Sequence, residues 1–447
     1  MLPTAALDPL LRRLRQGPAS GRALHEALGC SADALGRLLR AHPDRVVRLG
    51  ARKTSTYALI RSIPGVLSPV PVFAWGPTRT APDAPLLHLL PIEPAGFAAL
   101  PADGGPAVAY PDLPWFLHDL RPQGFLGRRL PRALGLRELP ADVREWGADQ
   151  VLRYLCTAGI SAPGAFVLGE AMRVAAMGAA PPPACADTEA GVIDLLAAQL
   201  AAGVEDPPPG SSAAGEQPKA LAALRAADGL HELIVKYSPP VSEPVGRRVA
   251  DLLVAEQLAG AVVEAWRPGW AARATVQLAH GRAWLLSRRF DRDPRGGRRG
   301  CVSLEAADAE FAEHPPGASI RWSLSARALG RAGRLGPAAV AQVCLLEAFG
   351  HGIGNTDMHL GNLALGLNGV EIDGVMPIYD MLPMAWMPQH NERPPLRPPR
   401  PAPADLSAEV EQVAPAVADF WARLAADARV SDEVRAAAGA LCRAAPG

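Results

Sequence analysis

The sequence predicts an α+β fold: a small helical head, a strand-bearing middle, and a second strand-rich unit that gives way to a mainly helical one. Three observations carry this. Apolar residues fall at helical spacing through the first forty positions and are followed by two short strand-like runs, at 46–49 and 56–60. Strand candidates at residues 230–237 and 283–290 flank a helical stretch near 245–261. From 302 onward the pattern is helical, apart from a tight cluster between 351 and 383. With 447 residues and 49% hydrophobic content, the chain is long enough for two to four cored domains. Their expected spans are 1–62, 63–205, 206–300 and 301–447.

The head is the clearest local pattern. Leu7, Leu10, Leu11 and Leu14 mark a first helix, and a second runs from about Ser20 through Leu24 and Leu28 to a Gly29-Cys30 turn. Ser31 is placed to cap a third helix, with Leu35, Leu38 and Leu39 inward and Arg37 and Arg40 outward. Three helices followed by a hairpin tipped by Arg52 and Lys53 suit a winged helix-turn-helix. Its third helix would enter a DNA major groove while the wing touches phosphates. Arg37, Arg40, Arg52 and Lys53 are the expected DNA contacts.

Charge supports that division of labour. The chain has 45 basic and 45 acidic residues, a net charge of zero, which argues against binding nucleic acid or anionic membrane over its whole surface. Residues 1–60 nevertheless carry ten basic against four acidic side chains, a net of +6, so the remainder sums to −6. Of the basic residues 42 are arginine and three are lysine: Lys53, Lys219 and Lys236. Six cysteines are scattered without a CxxC pair, which points away from a zinc site or a disulfide frame. The N-terminal residues lack the apolar core of a signal peptide, and no uncharged apolar run reaches 18 residues. The expectation is a cytoplasmic protein with no membrane span.

Residues 63–205 say less. Strand-like pieces at 66–75 and 86–92 precede helical stretches near 140–157 and 188–202, and Pro181–183 and Pro207–209 punctuate the region as stiff loops.

Chemistry concentrates beyond residue 208, in four pieces. The first is the small-residue loop 209–219, with Ser211, Ser212, Gly215 and Gln217 and ending at Lys219, able to bring backbone N–H groups and hydroxyls to phosphates. The second is Lys236 in the apolar strand Leu233-Ile-Val-Lys236-Tyr, where a buried ammonium must find an anion. In a chain that uses arginine almost everywhere, a retained lysine suggests a compact charge reaching nucleotide phosphates. The third is Gly354-Asn-Thr-Asp357-Met-His359-Leu-Gly-Asn362. An Asp and an Asn five residues apart are what phosphoryl transfer to a hydroxyl needs, the carboxylate orienting the nucleophile and the amide oxygen holding Mg²⁺. His359 would brace this loop. The fourth is Asp380, after the apolar run Met376-Pro-Ile-Tyr, suited to a second Mg²⁺ ligand.

Taken together, residues 205–445 resemble the HipA-like serine/threonine kinases, and the basic head in front is similar to the YjjJ-type subgroup. The matching strings are Ala-Gly-Glu-Gln-Pro-Lys219, Lys236, Arg-Phe-Asp-Arg292, Asn-Thr-Asp357-Met-His-Leu-Gly-Asn362 and Tyr-Asp380. The resemblance implies a bilobal, protein-kinase-like fold and a toxin that transfers the ATP γ-phosphate to protein Ser/Thr. It also implies Lys236 on the α- and β-phosphates, Asp357 as catalytic base, Asn362 and Asp380 on Mg²⁺, and Phe290 and Asp291 near adenine and ribose. Ser212, with Ser211 beside it, matches the position of self-phosphorylation. Expected partners are a protein substrate, DNA through residues 1–62, an antitoxin and a second copy of the chain. Arg248 stands where a lysine-pairing glutamate is expected, leaving Asp251 or Glu256 to take that role; Arg288 departs from the acidic residue usual before Arg-Phe-Asp. A small-molecule phosphotransferase and a nucleotide-sensing regulator without kinase activity are the alternatives.

Overall fold

A computed structural model describes residues 7–51, 55–76, 82–203, 217–389 and 392–444, which divide into two compact units. In the first unit, helix α1 (Leu7–Leu14) is followed by β1 (Ala19–Ser20), α2 (Gly21–Leu28), α3 (Ala32–Ala41), β2 (Val46–Leu49) and β3 (Thr56–Leu59). The helix starts follow from chemistry readable in the chain: Ser20 and Ser31 each accept a hydrogen bond from the backbone N–H three residues on, and Gly29 closes α2 at φ 61°. The strands form an antiparallel sheet in the order β1-β3-β2. Alternation along β2 covers both its faces. Val46 joins Leu10, Leu14, Leu24 and Leu35 under the helices. Val47 and Leu49 pack instead with Leu90, Ile92 and Ala98 of the neighbouring sheet.

That sheet, unrecognised in the sequence beyond two of its strands, contains β4 (Val70–Ala74), β5 (Leu87–Pro91), β6 (Phe97–Pro101), β7 (Val108–Tyr110) and β8 (Phe166–Leu168) in the order β7-β6-β5-β4-β8. The head is fastened to it by backbone bonds from Gly50 to Ala107 (2.7 Å) and from Glu93 to Leu59 (2.9 Å). Helices α5 (Ala148–Ala158) and α6 (Glu170–Met177) follow, while α4 (Gly124–Ala133), before them in the chain, falls in the second unit up to Arg129.

The second unit opens on β9 (Ala184–Ala186) and α7 (Glu189–Ala201), earlier than the boundary expected near 205. The reason is apolar: Val192, Ile193 and Leu196 of α7 need a cover, and Ala222, Leu224, Leu233, Val235 and Trp284 provide it. Strands β10 (Lys219–Ala226), β11 (Gly229–Tyr237), β12 (Ala274–Ala279) and β13 (Arg282–Arg288) complete a sheet ordered β12-β13-β11-β10-β9. Helix α8 (Pro244–Trp266) crosses between β11 and β12 and runs five residues beyond the expected end. Strand β13 stops at Arg288, which leaves Phe290 and Asp291 in the following turn.

The remainder holds β14 (Gly300–Ser303), α9 (Leu304–Phe311), α10 (Trp322–Arg331), α11 (Pro337–Gly352), β15 (Ala364–Asn368), β16 (Glu371–Val375), α12 (Ser407–Ala426) and α13 (Asp432–Ala444). Strands β14, β15 and β16 form a small antiparallel sheet beside the helices. Residues 393–403 run without helix or strand, as their proline content dictates. Among the described residues no helix is long and apolar enough to cross a membrane.

Candidate functional site

The site grows from the pairing of β10 with β11. Its register sets Lys219 directly opposite Lys236, so two of the three lysines share one face of an antiparallel pair. Like charges so placed repel, and the arrangement requires anions nearby. Two are supplied by the protein. Lys236, 5% exposed, donates from Nζ to Glu256 Oε1 and Oε2 at 2.6 and 2.8 Å and to Asp380 Oδ1. Asp380 in turn donates its backbone N–H to Glu256 Oε1 at 3.3 Å. The pairing acid expected on α8 is therefore Glu256. Asp251 and Arg248 are engaged elsewhere: the Asp251 carboxylate accepts from Ser431, and Arg248 donates to Glu433.

Burial pulls the Lys236 ammonium down, but Asp380 and Glu256 outweigh it and hold it above its usual range. Burial pushes the Asp380 carboxyl up, and Lys236 and Lys219 more than reverse this, so it stays charged. For Glu256 burial prevails over Lys236, and its carboxyl lies above the usual range. The first turn of α8 packs closely on the loop that follows β11: a Cβ at Gly246 would fall 2.0 Å from the Pro240 carbonyl oxygen.

Helix α11 ends at Gly352 and leads into the loop carrying the Asp-x4-Asn pair. Gly354 turns the chain at φ 78°, a conformation that suits glycine. Buried Asn355 then accepts from the Asp357 N–H at 3.0 Å and donates to the Asp380 carbonyl at 3.4 Å, tying the loop to the Asp380 segment. Asn362 donates from Nδ2 to the Asp357 carbonyl at 2.7 Å and to its carboxylate at 3.4 Å. The amide oxygen of Asn362 thus faces away from Asp357. His359 braces the loop as expected: Nδ1 accepts from the Gly361 N–H at 3.2 Å, and its carbonyl accepts from the Trp322 indole at 2.9 Å. The Asp357 side chain itself is exposed, open to an incoming hydroxyl.

Tyr379, Asn355 and Trp322 were not singled out from the sequence. Tyr379 donates to the Gly361 carbonyl at 3.3 Å and packs on Phe290, the ring centres 5.6 Å apart. Its place immediately before Asp380, and that of Asn355 two before Asp357, were the available signals.

Asp291 sits among arginines. It is buried, and its carboxylate accepts from Arg289 at 2.7 and 3.0 Å and from Arg292 at 2.7 Å, with Glu232 3.2 Å from Arg289. The carboxylate thus holds two guanidinium groups in place. Burial, reinforced by Arg289, pulls the Arg292 guanidinium down to about 9. Ser211, Ser212 and Gly215, like Arg52 and Lys53, lie outside the described residues. Arg37 and Arg40 are exposed on α3.

Two features fit a phosphate-bearing ligand with its cation. The Gln217 Nε2 donor is buried with no hydrogen-bond partner among the described residues, two positions from the lysine pair. Asn362 and Asp380 offer one amide and one carboxylate, the sparse oxygen set that Mg²⁺ accepts when substrate phosphates complete its shell. Among the described residues no group of three or more His, Cys, Asp or Glu is arranged to hold a metal alone.

Comparison with known proteins supplies the class. Residues 211–446 match the family described as the HipA-like C-terminal domain, and residues 69–177 match the middle domain of YjjJ-like toxins. The chain is 33% identical over 445 residues to Toxin YjjJ of Escherichia coli (strain K12), covering 96% of this chain and 95% of that protein. The protein belongs to the HipA-like toxins of the YjjJ type. A solved structure, described as the Shewanella oneidensis MR-1 toxin–antitoxin system HipA, HipB and its operator DNA complex, aligns over 84% of this chain and 96% of that one, with a TM-score of 0.49 and 14% identity.

Proposed function

We propose that the second unit is a serine/threonine protein kinase, using ATP and Mg²⁺, and that it acts in the cytoplasm as the toxic part of a toxin–antitoxin pair. The single observation that carries this is the buried Lys236–Glu256 pair, joined by partly exposed Asp380 and tied through Asn355 to the Asp357–Asn362 loop. Lys236 and Lys219 bind and orient the nucleotide phosphates, and Glu256 keeps the Lys236 ammonium aimed. Gln217 supplies a further donor at the same edge. Asp357 orients the substrate hydroxyl and takes its proton. Asn362 and Asp380 hold Mg²⁺, which when bound neutralises charge on the transferring phosphate. Phe290 with Tyr379 offers an aromatic surface for the base.

Two further roles belong to the same reading. The kinase phosphorylates itself on Ser212 or Ser211. The head is a winged helix-turn-helix that binds DNA through Arg37, Arg40, Arg52 and Lys53, supported by its element order and its +6 charge. Incubating the full chain with ATP and Mg²⁺ and mapping phosphate by mass spectrometry tests the kinase. Phosphate on Ser211 or Ser212 is expected; an unmodified protein that phosphorylates small hydroxyl compounds would replace this reading with a small-molecule phosphotransferase.

A further inference from the structure

We infer that residues 427–433, the turn after α12 together with the start of α13, clamp helix α8 and so hold Glu256 on Lys236 without any activating event, with Arg248 as the central positioning residue. The inference rests on the kinase reading for what the Lys236–Glu256 pair does; the clamp itself rests on contacts along α8.

The turn grips the helix at four side chains. Arg248, its side chain 1% exposed, donates from Nη2 to Glu433 at 3.1 Å and from Nη1 to the Pro394 carbonyl at 3.2 Å. Asp251, also buried, accepts from the Ser431 N–H at 2.9 Å and its hydroxyl at 2.5 Å. Arg247 donates to the Arg429 carbonyl at 2.5 Å. Arg429 reaches back with its own guanidinium to Gln257 Oε1 at 3.0 Å and to the Val276 carbonyl of β12 at 3.3 Å.

Geometry gives these contacts their meaning. Arg248 and Gln257 are nine residues apart on α8, about two and a half turns, so they point to opposite sides of the helix. Rotating α8 to withdraw Glu256 would break one grip or the other, and sliding it would break both. Arg248 is charged and enclosed, so losing its carboxylate partner leaves a buried cation unpaired, and the helix has no cheap alternative seat. The sequence had placed Arg248 where a lysine-pairing acid was expected. Here it serves the same pair from two turns away, through the helix.

Glu433 is the accessible end of the device. Its side chain is about half exposed and is shared between Arg248 and Arg393, at 3.1 and 3.2 Å. A substitution there loosens the clamp without opening a cavity.

The test uses the full chain and three variants: Glu433→Gln, Arg248→Met, and Arg423→Gln as a control, because Arg423 pairs with Asp419 on the exposed face of α12, outside the clamp. Amide hydrogen exchange over residues 248–258 and steady-state kinetics with ATP are both read. Glu433→Gln and Arg248→Met are expected to speed exchange across α8 at least about tenfold. They should also lower kcat roughly ten- to hundredfold with KM for ATP little changed, as a misplaced phosphate-orienting group would. The control should match the unaltered chain. Exchange unchanged in Glu433→Gln overturns the clamp even if Arg248→Met fails to fold. Faster exchange with unchanged kcat overturns the positioning role. If the unaltered chain transfers no phosphate at all, the kinase reading fails, and the exchange result alone still decides the clamp.

Discussion

Replacing Glu256 by Gln probes the centre of the site most sharply. Lys236 and Glu256 are 5% and 8% exposed, and the carboxylate meets the ammonium through both oxygens at 2.6 and 2.8 Å. Removing one partner of a buried pair costs about 3–5 kcal/mol, because the remaining charge is left in a poorly solvating interior. Asp380 still touches Nζ, and Gln retains one acceptor oxygen, so the cost should sit near the low end, about 3 kcal/mol. For a unit of this size each kcal/mol moves the midpoint by about 2–4 °C, which gives a fall of about 6–12 °C. Thermal unfolding of the full chain, followed on the second unit's transition, reads this directly. A fall below about 2 °C would mean that water reaches the ammonium and that burial of the pair, the premise of the site, is wrong.

Arg37→Ala and Arg40→Ala on the exposed face of α3 should each weaken DNA binding by about 1–3 kcal/mol and relax its sequence preference, measured by titration against several DNA sequences at fixed salt. In the clamp, hydrogen bonding from Arg429 holds the Asp427 carboxyl below the usual range. A group depressed on folding stabilises above its unfolded pKa and loses that contribution as pH falls through its folded one. The stability gap between the unaltered chain and Asp427→Asn should therefore be constant from about pH 7 to 5 and close below about pH 4, seen in denaturant melts. Tyr379→Phe removes the hydrogen bond to Gly361 and keeps the ring against Phe290, so it should cost only about 0.5–1.5 kcal/mol in the same melts.

What the chain made legible was local chemistry. Ser20, Gly29 and Ser31 mark helix ends through groups a few residues away, and the helices lie where those residues put them. The Asp357–Asn362 loop was readable for the same reason, since its partners sit within one turn of backbone. Lys236 needed a distant acid, and spacing along α8 could not choose between Asp251 and Glu256; the turn before α13 chose, by claiming Asp251 for Ser431. The wedging of the Asp291 carboxylate between Arg289 and Arg292 was not readable in the sequence, because neighbouring charges in a chain do not show which of them pair. The start of the second unit was hidden because the prolines at 181–183 and 207–209 punctuate equally well, and only the apolar face of α7 distinguishes them. The sheet of the first unit is built from strands of three to five residues, too short for alternation to stand out.

The central claim is that Asp357 acts on a hydroxyl at a site whose nucleotide is held by other residues. Single-turnover transfer of the ATP γ-phosphate, measured beside ATP affinity in the unaltered chain and in Asp357→Gln, tests it most directly. The Asp357 side chain is exposed and, among the described residues, bonded only within its own loop, so the substitution should leave folding and ATP affinity intact and slow transfer by roughly 10²-fold or more. Equal rates in the two proteins, at equal ATP affinity, would contradict the account.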